Sequence, residues 1–209
     1  MTVLATQAQW EEAQAGEEHC WMVKHTSSYD DRSKYYLEEF NNYEAIPDRK
    51  YDKVLEIGCG PFTQSKIISQ HTEMESFTLV DPLLDKYLSH PYCSYNKPVE
   101  WFKDPELVTA RGEDFIRPGE YDMAICINVL PHCQDAAKVV SNLIESLKPG
   151  GILVFGEPTF PVGTVGSGLH PIMPTLEWMR GQFTYIDPLY EVELDRDYYV
   201  DFLLIGEKK

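Results

Sequence analysis

A carboxylate stands inside an apolar run in the stretch KVLEIGCGPFTQ, residues 53–64. Val54, Leu55 and Ile57 ask for the interior of a sheet, yet Glu56 sits among them, just ahead of Gly58 and Gly60. Glycines so placed suit a strand-to-helix turn that needs positive φ, or a ligand that approaches the backbone closely. Pro61 suits the first turn of a following helix, and Thr63 can satisfy free N–H groups there. In open α/β sheets such loops seat ligands at the carboxyl ends of the strands. A dinucleotide fingerprint wants a third glycine where this chain has Thr63, and a phosphate-binding loop wants a G-K-[ST] that is absent. A pyrophosphate would be repelled by Glu56, whereas a ligand carrying an amine and a positive sulfur would be attracted.

A loop of this kind needs a strand before it and a helix after it. The first 50 residues are polar, aromatic and rich in helix formers. Residues 6–22 predict one helix, and 30–45 a second with Tyr36, Phe40 and Tyr43 along a stripe. From residue 51 the pattern alternates. Strands are expected at 53–57, 76–80, 106–110, 121–128 and 151–157. Helical stretches are expected from Thr63, from Pro82 and over 136–147, the last stopped by KPGG. Short apolar strands separated by helices imply right-handed βαβ units and a parallel sheet. The tail breaks that rhythm. Segments 189–195 and 198–206 are separated by only a short turn and should pair as an antiparallel hairpin. The fold class is therefore α/β: Rossmann-like, doubly wound, a mostly parallel seven-stranded sheet with helices on both faces and a C-terminal antiparallel hairpin. Residues 1–50 read as a helical cap segment and 51–209 as the main domain, the two forming one unit. The long connections 89–105 and 159–175 are candidates for covers over a site, the second as a lid.

The motif VLEIGCGPF resembles the first motif of class I S-adenosylmethionine-dependent methyltransferases, and the likeness continues in order over residues 51–158. LVDP, residues 79–82, resembles the end of the family's second strand, and Asp81 follows Gly60 by 21 residues, as a ribose acceptor should in a βαβ unit. ARGEDF, residues 110–115, resembles the third-strand loop that holds the adenine, with Glu113 and Asp114 as alternatives. YDMAICINVLPHC, residues 121–133, resembles the fourth-strand motif of the small-molecule (type 11/12-like) subgroup. LIESLKPGGILVFGEP resembles the helix, turn and fifth strand that follow. The resemblance implies S-adenosyl-L-methionine as cofactor and S-adenosyl-L-homocysteine as product. It places cofactor contacts at Glu56, Gly58, Cys59 and Gly60, at Asp81 and Pro82, at Glu113 or Asp114, and at Asn128 and Val129.

Methyl transfer is an in-line displacement at a carbon that the sulfonium already activates, so alignment supplies much of the catalysis. A base is needed only where the acceptor loses a proton. His132, just past the fourth strand, is a candidate for that role, with His170 in the lid and Glu157 at the end of the fifth strand as rivals. A packing or helix-start histidine is the competing reading. Trp10, Trp21, Tyr29, Tyr35 and Tyr36 could cap the cofactor, although an aromatic stripe at helical spacing equally packs a core.

Composition narrows the partners. The formal charge of −16 disfavours nucleic acid, because no Lys/Arg cluster opposes it. The [DN]PP[YFW] element of DNA amino-methyltransferases is absent, NVLP standing in its place. Five cysteines without a C-x-x-C pair argue against a disulfide framework. No metal-ligand spacing is seen, so no metal is expected. With no signal-peptide pattern and no apolar span of membrane length, the sequence reads as cytoplasmic and off the membrane. The expected function is methyl transfer to O, N or C of a small molecule, with a glycan or peptide as further acceptor classes, by a monomer or homodimer. The alternatives are a non-catalytic cofactor-binding partner subunit, or another sulfonium transferase on the same fold.

Overall fold

The computed structural model describes residues 3–24, 43–96 and 105–209. Seven strands form one sheet in the order β3-β2-β1-β4-β5-β7-β6. They are β1 Tyr51–Ile57, β2 Met74–Val80, β3 Glu106–Val108, β4 Tyr121–Ile127, β5 Leu147–Thr159, β6 Ile186–Asp195 and β7 Val200–Lys208. β3, β2, β1, β4 and β5 run parallel, while β7 is antiparallel to both of its neighbours, β5 and β6. The expected α/β architecture and terminal hairpin are therefore what the chain forms.

The central strands are apolar in near-continuous runs because both sheet faces are covered. Leu55, Ile57, Ala124, Cys126, Leu153 and Phe155 point to one core, and Val54, Phe77, Leu79, Met123, Ile125 and Val154 to the other. On the first face lies α4, Ala136–Ser146, which buries Val139, Val140 and Leu143 and is capped by the Asp135 carboxylate accepting from Lys138 N. Met179 of α5, Leu176–Gln182, joins the same core. On the second face α2, Ser65–Ile68, and α3, Leu84–Tyr87, are single turns, shorter than the helices expected from Thr63 and Pro82.

The N-terminal helix α1, Gln7–His19, opens with a capping box in which Thr6 and Gln9 exchange hydrogen bonds. It then widens into a π-helical turn over Cys20–Lys24. Just ahead of it, Ala5 N donates to Gln134 O and Ala136 N donates to Val3 O, so the helix is anchored beside the start of α4. The expected helix over 30–45 lies mostly outside the described residues; its end, Tyr43–Ala45, is a 3-10 turn with Tyr43 buried. Tyr29, Tyr35 and Tyr36 also lie outside the described residues, as does most of the second half of the 89–105 connection. All five cysteines are free thiols. No helix among the described residues is long and apolar enough to cross a membrane.

After β1 the chain builds outward to β2 and β3, then returns to place β4 on the other side of β1. The loops leaving β1 and β4 diverge at that reversal and open a crevice at the carboxyl ends of the strands.

Candidate active site

The glycine loop is shaped from beneath by Glu56. Its side chain is 2% exposed and folds toward the start of α2. Oε1 accepts from Gln64 N at 2.8 Å, and Oε2 accepts from Ser65 N at 3.0 Å and from the hydroxyls of Thr63 and Ser65. Burial raises the carboxyl above its ordinary range while these donors pull it down. Glu56 thus borders the crevice with its oxygens committed to the chain's own donors, a tertiary assignment that its place in the β1 run did not reveal. Above it Gly58 and Gly60 take φ of 70° and 51°. A Cβ at Gly58 would lie 2.9 Å from Val129 Cγ1 and closer still to Cγ2, whereas one at Gly60 would meet nothing within 4 Å. The loop is therefore pressed against β4's end at one glycine and open to the crevice at the other. Cys59 is buried beside Tyr95, whose hydroxyl donates to Gly60 O at 2.6 Å.

Asp81 immediately follows β2 and reaches across to this loop. Oδ2 accepts from Gly60 N at 3.0 Å and Oδ1 from Leu83 N at 2.8 Å. Burial, helped by the charges of Glu17 and Glu56, pushes its pKa up to about 6 despite those two donors. Each oxygen retains a lone pair for a second donor. Pro82 continues the wall.

At the end of β4, Asn128 adopts a left-handed φ of 57°, a region that Asn enters more readily than other side-chain-bearing residues. The turn exposes the N–H groups of Val129 and Leu130, and the fully buried Glu157 accepts both, at 2.9 and 3.1 Å. Burial lifts Glu157 to a pKa of about 8. Glu157 supports the β4 turn from behind and does not line the crevice.

Glu113 and Asp114 part ways. Glu113 lines the crevice, is buried, and accepts from Gln134 N at 2.8 Å. Asp114 faces outward and accepts from Arg111 Nε at 2.6 Å. That ion pair holds Arg111 over the Trp10 ring, 5.2 Å from its centroid.

The walls enclose about 860 Å³, open mouth included, within the range of ligand sites. Among the sequence candidates, Glu56, Gly58, Cys59, Gly60, Asp81, Pro82, Glu113, Asn128, Val129 and His132 line it; Asp114, Glu157 and His170 do not. His132 Nδ1 is 3.0 Å from Leu169 O in the 159–175 loop and 3.3 Å from Glu17 Oε1. Burial pushes its pKa down to about 4, so the ring is neutral at physiological pH. His170 packs edge-on against it with centroids 4.7 Å apart, behind the wall rather than in it.

Sequence reasoning missed Gln14, Glu17, Tyr87 and Arg111, which also line the crevice. A signal existed for the helix. Trp10, Gln14, Glu17 and Trp21 are spaced by four, three and four residues, which is one face of a helix, and all four line the crevice. Trp21 Nε1 donates to Glu17 Oε2 at 2.9 Å, and its ring meets Phe62 with centroids 5.7 Å apart. Both tryptophans therefore belong to a cap over the crevice.

The site fits S-adenosylmethionine on its own chemistry. Among the described residues, carboxylates of Glu17, Glu56, Asp81 and Glu113 border the crevice, opposed by one guanidinium, Arg111, which Asp114 already pairs. Such walls favour a ligand bearing positive charge, and the open side of Gly60 leaves room for close approach.

The methyltransferase-domain family matches residues 29–186. The ubiquinone biosynthesis O-methyltransferase of Thiobacillus denitrificans is 32% identical over 104 residues, which make up 49% of this chain and 43% of that protein. The protein of the same name from Rickettsia bellii is 26% identical over 129 residues, 59% of this chain and 48% of its own. The chain thus spans less than half the length of these relatives. Among solved structures, the N-methyltransferase NodS from Bradyrhizobium japonicum WM9, in complex with S-adenosyl-L-homocysteine, superposes with a TM-score of 0.67 at 12% identity, over 96% of this chain and 98% of that one. The likeness to NodS is one of fold. With a matching family over most of its length and the seven-stranded sheet that family builds, this chain belongs to the methyltransferase-domain family of class I, S-adenosylmethionine-dependent proteins.

Proposed function

We propose that the protein methylates a hydroxyl of a small organic acceptor, with S-adenosylmethionine as donor. The observation that carries this reading is one crevice holding both the Gly60–Asp81 unit and a neutral His132. When bound, S-adenosylmethionine supplies an electrophilic methyl on a sulfonium. Asp81 would hold the ribose hydroxyls with the lone pairs that Gly60 and Leu83 leave free, and Glu113 or the neighbouring amides would meet the adenine. Asn128 and Val129 would face the methionine end. His132 would accept the hydroxyl proton as the acceptor oxygen attacks; an amine with a free lone pair has no such need before attack, so an imidazole base favours oxygen. The curated relatives named as O-methyltransferases support the same choice.

Thermal unfolding with S-adenosylmethionine, S-adenosylhomocysteine and NAD in turn tests the cofactor. A ligand at ~100 times its dissociation constant adds about 2.7 kcal/mol, a readily seen shift in melting temperature. Stabilisation by the adenosyl-sulfur pair alone supports the reading, and stabilisation by NAD alone sinks it. Acceptors are then screened by product mass, phenols against amines; methylation of amines only would remove His132 as base.

A further inference from the structure

We infer that Glu17, on the N-terminal helix, is a positioning residue for His132: it holds the ring with hydrogen on Nδ1 and so presents Nε2 to the crevice as the proton acceptor. This rests on the methyl-transfer reading above for its use, but not for its geometry. His132 Nδ1 faces the carbonyl of Leu169 at 3.0 Å and the Glu17 carboxylate at 3.3 Å. A carbonyl and a carboxylate only accept, so the nitrogen between them carries the hydrogen, and in the neutral ring the lone pair is then on Nε2.

Glu17 is itself held. Its second oxygen accepts from Trp21 Nε1 at 2.9 Å, one turn along the same helical face. The pair is largely shielded, with side chains 15% and 18% exposed for His132 and Glu17. The helix also grips the residue from its backbone side, where Gln14 Nε2 donates to His132 O at 2.9 Å. Among the described residues, the groups that bear on the pair electrostatically include His170, packed on the His132 ring, and Asp81 and Tyr87, which line the same crevice as Glu17.

The carboxylate does something that the Leu169 carbonyl cannot. When Nε2 takes a proton the ring becomes a cation, and a full negative charge 3.3 Å from Nδ1 stabilises that state more than a neutral carbonyl does. Because α1 is anchored through Val3 and Ala5 to the start of α4, the carboxylate reaches the ring only with the helix seated over the crevice. The proton acceptor is thus assembled from two parts of the chain, the loop after β4 and the N-terminal cap.

The test needs neither acceptor nor turnover. In the full chain labelled with ¹⁵N-histidine, long-range proton–nitrogen correlation spectra separate the tautomers of the six histidines, and His132→Gln assigns the ring. The wild-type ring is expected at neutral pH as the Nδ1–H tautomer. Glu17→Ala should populate the Nε2–H tautomer to roughly a tenth or more, and Glu17→Gln, whose amide oxygen still accepts, should restore most of the Nδ1–H form. Trp21→Phe, which removes the indole N–H that holds Glu17 but keeps an aromatic side chain and the carboxylate, should disturb the His132 nitrogen shifts less than Glu17→Ala does. An unchanged tautomer in Glu17→Ala overturns the proposal and leaves Leu169 as the positioning group. Failure of Glu17→Gln to restore the Nδ1–H form also overturns it, because the effect of Glu17→Ala would then be seating of the cap. Calorimetry of S-adenosylhomocysteine binding to the wild-type protein reports on the methyl-transfer reading separately.

Discussion

Glu56 in β1 accepts both the backbone N–H and the hydroxyl of Ser65, at 3.0 and 2.5 Å, so that a strand carboxylate forms the floor of the helix start beyond the glycine loop. The bonds tie the two ends of the glycine loop together. Glu56→Ala leaves the N–H groups of Gln64 and Ser65 and two hydroxyls without their acceptor in a buried place. A loss of roughly 3 kcal/mol in unfolding free energy is expected from denaturant titration, since each unpaired buried donor costs ~1–3 kcal/mol and some regain water. A loss below about 1 kcal/mol would mean that the carboxylate is not the support described.

Gly58 and Gly60 should differ on substitution. Both take positive φ, which costs an alanine on the order of 1 kcal/mol. At Gly58 the new Cβ also runs into the Val129 side chain, while at Gly60 it meets open space. Gly58→Ala is expected to destabilise by a further ~1–3 kcal/mol of overpacking. Gly60→Ala should instead weaken S-adenosylhomocysteine binding more than it lowers stability. Calorimetry alongside urea unfolding separates the two.

Cofactor affinity should depend on pH through Asp81. Its pKa is pushed up to about 6 from 3.8, so it is protonated in the free protein below that value and loses acceptor capacity for ribose hydroxyls. The affinity for S-adenosylhomocysteine is therefore expected to rise through pH 6 and level off above it. In Asp81→Asn that rise should vanish and the affinity fall about tenfold or more, in keeping with ~1.5–3 kcal/mol for a charged hydrogen bond. A pH profile shared by variant and wild type would place the titration elsewhere.

Stability should carry two opposed pH dependences. Glu157 keeps its proton in the native state up to about 8, against 4.5 when unfolded, so its contribution is complete below 4.5 and is lost as pH rises toward 8. His132 is depressed from 6.5 to about 4, so its contribution is present above 6.5 and is lost as pH falls toward 4. Glu157→Gln removes the alkaline loss. Measured by denaturant unfolding from pH 5 to 8, the variant is expected to gain on the wild type as pH rises; a constant difference would show that Glu157 ionises normally.

Sequence alone determined the alternation of strands and helices between residues 51 and 157, the terminal hairpin, and the glycine loop after β1, but not the helix over Leu176–Gln182. These are legible because burial on both faces forces continuous apolar strands, and because positive φ and tight turns select glycine at positions 58 and 60. The same local logic named Asp81, which follows a strand at the spacing a βαβ unit imposes. Pair geometry was not legible. Glu113 and Asp114 are neighbours in the chain, and only the packing of α4 decided that Glu113 turns inward to cap residues 134–135 while Asp114 pairs with Arg111. Glu157 looked like a site acid at the end of a strand, but the turn at Asn128 drew it beneath the crevice as an acceptor for Val129 and Leu130. Glu17 lies far from His132 in sequence and meets it only because the N-terminal segment is tied to the start of α4. A strand's burial and a turn's φ are set by near neighbours, whereas a carboxylate's partner is set by whichever donors the finished fold brings within about 3 Å.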